Sequence, residues 1–304
     1  MTRSYARAIA VLGATFCLCL ASLSLLLARS EPTQIQLLDP SESLQAAIDA
    51  CSDGSTIQLG PGAFKGPLQI TRAVTLVGAG REQTTIVAPQ TASAVVLISG
   101  DQGMSVTIED LGLVQLPSVT AGGRSDGDEC HGLAAAGHCH VALRGLSIRD
   151  LSGCGIVLDD GCHAFLGDSS VEGNREDGVF LKGASHLNMS GCQLLANWRN
   201  GLSVEDHSTA RLVDCEIRAN DEHGAAAFHG SDLHVESCAI ERNFEDGVHV
   251  TGASTVSLLL NDIRENARYG VYTSHPENLR VCGGNSILNN HKEDISPGAV
   301  GGGC

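Results

Sequence analysis

Residues 174–196 read NREDGVFLKGASHLNMSGCQLLA, and the next three stretches, which end at residue 265, read NWRNGLSVEDHSTARLVDCEIRA, NDEHGAAAFHGSDLHVESCAIER and NFEDGVHVTGASTVSLLLNDIRE. Every stretch has 23 residues with glycine at its fifth position. The glycine column extends to both sides as Gly132, Gly155, Gly178, Gly201, Gly224, Gly247 and Gly270. A fixed period in this range is typical of a solenoid, whose units bury their apolar faces only by stacking on one another. The sequence therefore predicts a repeat protein.

Each 23-residue unit holds three short stretches in which apolar and polar residues alternate, such as Val179 to Leu181 and Leu187 to Met189. Alternation with a period of two, bounded by turn residues, indicates strands. Three strands per unit return the chain to its starting point, so we predict an all-β parallel β-helix of about ten turns. Adjacent turns would lie about 4.8 Å apart. The alternative is a leucine-rich repeat, but that fold expects a dominant leucine pattern and one strand per unit.

Two columns of identical residues are expected to shape each turn. The glycines precede the first strand of each unit, where we expect them to accept a positive φ at a tight corner. An asparagine column runs through Asn174, Asn197, Asn220, Asn243, Asn266 and Asn289. Stacked asparagines can hydrogen-bond along the column and bind the backbone of the turns.

The two ends of the chain differ from the repeats. Arg3 and Arg7 precede an apolar stretch over residues 8–28, so residues 1–30 are predicted to be a signal peptide or an uncleaved membrane anchor. Residues 31–55 are predicted to hold a short helix, N-capped by Ser43, that covers the open end of the solenoid. The β-helix is then expected over residues 56–290, with a tail over residues 291–304 that shows no pattern.

The charge balance restricts the partners. The chain has 19 basic and 35 acidic residues, and removal of residues 1–30 leaves a net charge of −19. Such a surface repels polyanions, so nucleic acid is not an expected partner. A polyanionic glycan is also disfavoured unless a divalent cation bridges the like charges, which leaves calcium open as a cofactor.

Ten of the 12 cysteines follow the leader segment. Cys192, Cys215 and Cys238 fall in one inward column, and Cys139 with Cys162 fall in another, so both groups are interpreted as buried thiols. Two other pairs, Cys130 with Cys154 and Cys282 with Cys304, are the disulfide candidates because they lie at turn edges or at the terminus. The spacing contains no pair of motifs for structural zinc.

Three segments resemble the opening of a known family: Ser-Leu-Gln-Ala-Ala-Ile-Asp-Ala at 43–50, Asp-Gly-Ser-Thr-Ile-Gln-Leu-Gly-Pro-Gly-Ala-Phe at 53–64, and Val-Thr-Leu-Val-Gly-Ala-Gly at 74–80. Together with the repeats over 132–290, they resemble exported right-handed parallel β-helix proteins of the pectin-lyase-like superfamily. The resemblance implies a right-handed solenoid and a periplasmic, cell-surface or extracellular location. It says little about function, because this scaffold carries lyases, hydrolases, epimerases, metal-delivery proteins and non-catalytic surface proteins.

The candidate catalytic residues stand on three consecutive turns. His223, Asp246 and Tyr269 each directly precede a column glycine, so neighbours should lie about 5 Å apart. A histidine, a carboxylate and a phenol at that spacing can act as general base, charge stabiliser and general acid. The outward positions that follow supply the candidate substrate-binding residues His249, Tyr272, Lys182, Glu205 and Phe228. The alternative is an ordinary solvent-facing polar column.

The superfamily's alginate epimerases and lyases place a tyrosine before one strand glycine, as Tyr269 is here, and a histidine before another, as His223 is. They also carry Asp-Pro-His within the strand, whereas this chain has Tyr272-Thr273-Ser274. The resemblance therefore implies uronate lyase or epimerase chemistry with one motif altered. As a whole, the sequence predicts an exported monomer that binds or processes polysaccharide on its lateral face.

Two alternatives remain open: a non-catalytic envelope or surface scaffold, and a periplasmic metal-handling protein. The second rests on the column His140, His163 and His186. A polar insertion with Asp126, Asp128 and Glu129 could hold calcium but lacks the EF-hand pattern. We assign no metal ligands from the sequence.

Overall fold

In a computed structural model, residues 34–37, 39–101, 103–116 and 129–297 are described, and within them the chain coils into a solenoid of three parallel sheets. Each turn adds one strand to each sheet, and every strand except the two at the ends of its sheet pairs in parallel with its counterparts one turn earlier and one turn later. The predicted all-β, right-handed parallel β-helix is confirmed. The predicted leader at residues 1–30 lies outside the described residues.

The first sheet contains β1 (Gln34–Leu37), β2 (Ser55–Leu59), β5 (Val74–Val77), β8 (Ser105–Glu109), β11 (His140–Arg144), β14 (His163–Gly167), β17 (His186–Ser190), β20 (Thr209–Val213), β23 (Asp232–Glu236), β26 (Thr255–Leu259) and β29 (Leu279–Val281). The second sheet contains β3 (Gly62–Lys65), β6 (Thr84–Ala88), β9 (Gly112–Gln115), β12 (Ser147–Arg149), β15 (Ser170–Glu172), β18 (Gln193–Leu195), β21 (Glu216–Arg218), β24 (Ala239–Glu241), β27 (Asp262–Arg264) and β30 (Ser286–Leu288). The third sheet contains β4 (Leu68–Ile70), β7 (Ala94–Ser99), β10 (His131–Ala136), β13 (Ile156–Asp159), β16 (Val179–Leu181), β19 (Leu202–Val204), β22 (Ala225–Ala227), β25 (Val248–Val250), β28 (Tyr269–Thr273) and β31 (Glu293–Ile295).

The glycine column is required by close packing, and the positive φ expected from the sequence is wrong. None of the seven column glycines has a positive φ. A Cβ built on Gly201 would instead lie 2.6 Å from the carbonyl oxygen of Gly224 and 2.7 Å from Cγ2 of Ile217. The same clash with the next turn recurs along the column. Glycine is therefore selected because successive turns approach one another too closely for any side chain.

The asparagines form the predicted ladder. Nδ2 of Asn197 donates to Oδ1 of Asn220 at 3.0 Å and to the carbonyl oxygen of Val171 at 3.2 Å. The backbone N–H of Asn197 also donates to Oδ1 of Asn220, at 3.1 Å. The ladder ends at Asn290, which accepts from Asn266, and Asn289 is therefore the wrong choice for the last member. The last turn contains one extra residue, so Asn261 and its hydrogen-bond partner Asn285 are 24 positions apart.

The predicted capping helix is confirmed as α1 (Leu44–Ala50), and the side chain of Ser43 accepts a hydrogen bond from the N–H of Ala46. The amide of Gln45 pairs with both backbone groups of Gln69 at the free edge of β4, where no further strand follows. The strands extend beyond the expected bounds, because β1 precedes the helix and β31 lies after residue 290. Across the described residues, no helix is long and apolar enough to cross a membrane.

A single apolar core fills the solenoid along its axis. The inward cysteine columns lie in this core with free thiols, as predicted, and Sγ of Cys139 lies 3.6 Å from Sγ of Cys162. The predicted disulfide between Cys130 and Cys154 is wrong, because both are buried free thiols. Cys304 lies outside the described residues, so its pairing with Cys282 stays a prediction.

Candidate functional site

The side chains that directly precede the glycine column form a second ladder on the third sheet. The backbone N–H at each of these positions donates to the side chain one turn earlier. In this way Asn200 donates to Oδ1 of Asp177 at 2.9 Å, and His223 donates to Oδ1 of Asn200 at 3.1 Å. Asp246 donates to Nδ1 of His223 at 3.1 Å, and Tyr269 donates to Oδ1 of Asp246 at 3.0 Å. His223 and Asp246 therefore support the backbone, and both side chains are buried.

Asp246 also forms a dyad with His249 that the ladder does not require. Its free oxygen, Oδ2, lies 2.7 Å from Nδ1 of His249, and the Asp246 side chain is fully buried. Burial favours the neutral acid, but hydrogen bonds from His249 and from the N–H of Tyr269 outweigh it and lower the pKa of Asp246. An ionised Asp246 holds the proton of His249 on Nδ1, which leaves Nε2 as the basic nitrogen.

His223 is held neutral beside this dyad. Burial, and after it the charge of His249, lower the pKa of His223 to about 3, against the opposing effect of Asp246. Since Nδ1 of His223 accepts the N–H of Asp246, its remaining proton sits on Nε2, 3.5 Å from Oε2 of Glu245. His223 was the expected general base, but its Nδ1 already accepts a backbone N–H, whereas His249, expected to bind substrate, has the carboxylate of Asp246 as its partner.

An aromatic stack encloses His249 on both faces. Its ring centroid lies 4.0 Å from that of His223 and 4.8 Å from that of Tyr272, with interplanar angles of 20° and 17°. Tyr269 lies 5.5 Å from Tyr272, centroid to centroid. The two phenols and the Asp246–His249 dyad therefore lie together on one part of the solenoid surface.

Two cations that the sequence analysis did not single out flank this cluster. The ammonium of Lys292 lies 4.6 Å from the ring centroid of Tyr269. Nη1 of Arg268 lies 3.1 Å from Oε2 of Glu245, and its Nε lies 4.0 Å from Oδ1 of Asp246. Arg268 directly precedes Tyr269, so the 23-residue columns could have identified it. Lys292 follows the turn that contains an extra residue, so the 23-residue count does not align it with the other columns.

A groove of about 410 Å³ lies beside the cluster and receives other predicted residues. Lys182, Glu205, Phe228 and His223 line it, whereas Asp246, His249, Tyr269 and Tyr272 lie outside its lining. Phe228 connects the two areas, because its ring centroid lies 5.7 Å from that of His249. The predicted site residues thus divide between a groove and an adjoining wall of four side chains, Asp246, His249, Tyr269 and Tyr272, which we call the candidate catalytic wall.

Asp177, which directly precedes Gly178, is a buried carboxyl in the groove that the sequence analysis did not single out. Burial raises the pKa of Asp177 to about 6, against the opposing effects of Arg199 and of the hydrogen bonds from Asn200. Arg199 is itself paired, with Nη1 3.3 Å from Oε2 of Glu176 and Nε 3.5 Å from Oε1 of Glu222. The groove therefore holds a carboxyl that exchanges its proton near neutral pH.

Asp177→Asn is expected to stabilise the protein at pH 7. Folding raises the pKa of Asp177, so the folded protein binds the proton of this carboxyl more tightly than the unfolded chain does. The resulting stabilisation is fully present below the ordinary pKa of 3.8 and is lost as the pH rises through about 6. Asparagine keeps an acceptor for Asn200, so the free energy of unfolding should rise on the order of 2 kcal/mol at pH 7. Urea unfolding at pH 7 and below pH 4 measures the difference, with the exposed Asp206→Asn as the control. An equal effect at both pH values would show that burial of the charge is not the cause.

Two sets of side chains have metal-ligating atoms within 4.8 Å of one another, considering the described residues only. One is His223, Asp246 and His249, whose inner atoms already share hydrogen bonds. The other is Glu205, Asp206 and His229, which is mostly exposed and includes a nitrogen that calcium does not favour. Asp126 and Asp128, the other calcium candidates, lie outside the described residues, so calcium stays a prediction.

The histidine column proposed for metal handling is present but does not converge. His140, His163 and His186 are exposed on the first sheet, with successive ring centroids 5.3 and 4.6 Å apart. Stacked rings point their nitrogens in similar directions, whereas metal ligands must aim at one point. The column is not one of the two convergent sets found in the described part of the chain.

Comparison with known proteins agrees with this architecture. The family described as right handed beta helix region matches residues 131–293, and the chain belongs to this family. The comparison with curated sequences finds no match.

Solved structures with the same fold include enzymes that act on polysaccharides. The mannuronan C-5 epimerase AlgE6 A-module from Azotobacter vinelandii is similar with a TM-score of 0.59 and 21% identity, over 83% of this chain and 84% of that one. The pectate lyase Pel9A gives a TM-score of 0.64 and 13% identity, over 90% and 82%. The periplasmic alginate epimerase AlgG gives 0.51 and 15%, over 89% and 83%. At these identities the likeness establishes the fold, and the reaction must be argued from the residues.

Proposed function

We propose that this protein processes a uronate-containing polysaccharide on the lateral face of the solenoid, by removing the C5 proton of a uronate residue. The observation that carries the proposal is the dyad, with Oδ2 of the buried Asp246 2.7 Å from Nδ1 of His249. A carboxylate that orients an imidazole is a common way to present a general base. The fold shared with mannuronan epimerase and pectate lyase supports the substrate class.

In this reaction Nε2 of His249 takes the proton from C5, and the electron pair of the broken C–H bond moves into the adjoining carboxylate. Lys292 and Arg268 flank the wall and would stabilise the negative charge that develops there. His223 stays neutral, so it does not add a positive charge beside the newly protonated His249.

The second proton transfer decides the product. If a phenol returns a proton to the opposite face of C5, the sugar is epimerised. If a proton goes to the glycosidic oxygen at C4 as that bond breaks, the products are a shortened chain and an unsaturated uronate. Tyr269 and Tyr272 are the two phenols next to His249, and Tyr272 is the more exposed of them. Their phenylalanine variants would identify which one acts as the acid.

Incubation with mannuronan and with polygalacturonate tests the proposal. We expect either C5-inverted residues by NMR or unsaturated ends by ultraviolet absorbance, with loss of product in His249→Ala. His234→Ala is the matched control, because His234 is exposed on the first sheet and contacts Ser257 there. Absence of both products across the pH range in which the fold is intact would refute the proposal.

A non-catalytic surface scaffold is the second candidate, and the backbone ladder favours it. His223 and Asp246 each accept a hydrogen bond from the next turn, so structural demand alone accounts for polar residues at these positions. A glycan array that shows no binding would favour such a scaffold.

We further propose that the protein is exported, since the similar epimerase AlgG is described as periplasmic.

A further inference from the structure

Three metal-ligating side chains meet at one edge of the groove, on two consecutive turns of the solenoid. Glu205 and Asp206 directly follow β19, and His229 comes just after β22 in the next turn. Nδ1 of His229 lies 3.5 Å from Oε2 of Glu205 and 3.6 Å from Oδ1 of Asp206. All three ligand atoms lie within 4.8 Å of one another. One imidazole nitrogen and two carboxylate oxygens therefore surround one small volume.

The separations between these atoms are longer than hydrogen bonds and match the spacing of ligands around a metal ion. A charge-assisted hydrogen bond from a ring nitrogen to a carboxylate measures about 2.7–2.9 Å. Around a tetrahedral Zn²⁺ with bonds of about 2.1 Å, neighbouring ligand atoms lie about 3.4 Å apart. The dyad on the candidate catalytic wall differs, because Nδ1 of His249 lies 2.7 Å from Oδ2 of Asp246. The set around His229 thus has the spacing of a metal site, whereas the dyad has that of a hydrogen bond.

The sequence departs from its repeat at the corner that carries two of these ligands. Gly183 and Gly252 occupy the position of Asp206 and His229 on the turns to either side, and all four residues have a positive φ, between 50° and 66°. Glycine adopts this left-handed conformation freely, whereas residues with side chains are held in it most often at ligand and active sites. Two residues with ligand atoms thus replace glycine on the two adjacent turns where their side chains can meet.

The backbone under the ligands is fixed, and the side chains stay accessible. The N–H of Glu205 donates to the carbonyl oxygen of Leu181 at 2.8 Å, and the N–H that follows His229 donates to Oγ of the buried Ser254 at 3.1 Å. Glu205 and His229 line the groove, and the His229 side chain is 68% exposed. An ion can therefore enter from solvent. With three protein ligands it keeps a fourth position for water or for an oxygen atom of a molecule in the groove.

The types of ligand select the metal. Calcium and magnesium take oxygen ligands, whereas imidazole favours zinc and other late first-row metals. Zn²⁺ binds imidazole nitrogen and carboxylate oxygen at similar distances, about 2.0–2.2 Å, in one tetrahedral site. Two carboxylates also balance its two positive charges. The protein as a whole has a net charge of −16, which attracts cations to its surface.

From these observations we infer that Glu205, Asp206 and His229 form a binding site for Zn²⁺ at the edge of the groove, with one coordination position open to the groove. The inference goes beyond the proposed function, because the base and the two phenols of that reaction do not belong to the site. It also differs from metal handling by the histidine column of the first sheet, whose rings stack without converging.

Calorimetric titration of the full protein with ZnCl₂, after dialysis against a chelator, tests the site without any substrate. We expect one tight Zn²⁺ site per chain, and His229→Ala and Glu205→Gln should each weaken it at least about tenfold. His275→Ala is the matched control, because His275 occupies the same column as His229 and pairs instead with Oε1 of Glu277, 3.3 Å from its Nδ1. This variant should leave the affinity unchanged.

The other outcomes of the titration would overturn the site. They are the absence of saturable Zn²⁺ binding, unchanged affinity in His229→Ala and Glu205→Gln, and equal weakening in His229→Ala and His275→Ala. Displacement of Zn²⁺ by an equal concentration of Ca²⁺ would overturn the assignment to a metal that prefers nitrogen. Because the readout is the heat of metal binding, a failure of the proposed reaction would leave this result unchanged, and the reverse also holds.

Discussion

Asp246→Asn is expected to lower kcat on a polyuronate by about 10²–10⁴-fold while the fold is retained. The asparagine oxygen can still accept the N–H of Tyr269, as Oδ1 of Asp246 does at 3.0 Å. The amide nitrogen of the asparagine would then face Nδ1 of His249. Both groups would be hydrogen-bond donors if His249 kept its proton on Nδ1. His249 would have to place its proton on Nε2, and the nitrogen directed at the substrate could no longer accept the C5 proton. Steady-state kinetics over a range of pH measures the effect.

His223→Asn is the matched control for this prediction. Asn200 shows that asparagine in this column can accept the N–H of the next turn, so the variant should keep the backbone ladder. We expect it to retain most of the activity, because His223 is already neutral and hydrogen-bonded. If His223→Asn loses as much activity as Asp246→Asn, then His223 is the base and our assignment of His249 is wrong.

The second large effect concerns stability. Gly201→Ala should lower the free energy of unfolding by about 3 kcal/mol or more, at the upper end of what overpacking usually costs. The new Cβ would lie 2.6 Å from a backbone oxygen of the next turn and 2.9 Å from Nδ2 of Asn220. Neither neighbour can move without breaking the strand pairing or the asparagine ladder.

Gly283→Ala controls for the loss of a glycine as such. A Cβ at Gly283 would meet nothing within 4 Å, and its φ is not positive. Its free energy of unfolding should stay within about 0.5 kcal/mol of the wild type in urea denaturation. If the two variants are equally stable, the glycine column is not selected by the approach of adjacent turns.

The period of the repeat predicted most of the fold, because identical residues one turn apart occupy equivalent positions. The three-sheet architecture and the asparagine ladder follow from reading columns, whereas the capping helix followed from its N-cap residue, Ser43. The reason for the glycine column did not follow, since the sequence shows which residue recurs but not how near the next turn lies. The extra residue between Asn266 and Asn290 is also invisible when the 23-residue count is extended by one more turn.

The candidate site could be predicted only as a set of neighbours. The columns brought His223, Asp246, Tyr269, His249 and Tyr272 together, as the structure places them. They could not show that Nδ1 of His223 is occupied by a backbone N–H while His249 has a carboxylate partner. Such roles depend on the direction of each side chain and on burial, as does the raised pKa of Asp177.

Proton exchange at C5 tests the central claim most directly. In D₂O, a polyuronate processed by the wild-type protein should gain deuterium at C5 or yield unsaturated ends, and His249→Ala should abolish both while isothermal titration calorimetry still detects binding. Saturable binding by the wild type with no deuterium at C5 and no unsaturated product would contradict the account and identify the wall as a non-catalytic glycan-binding surface.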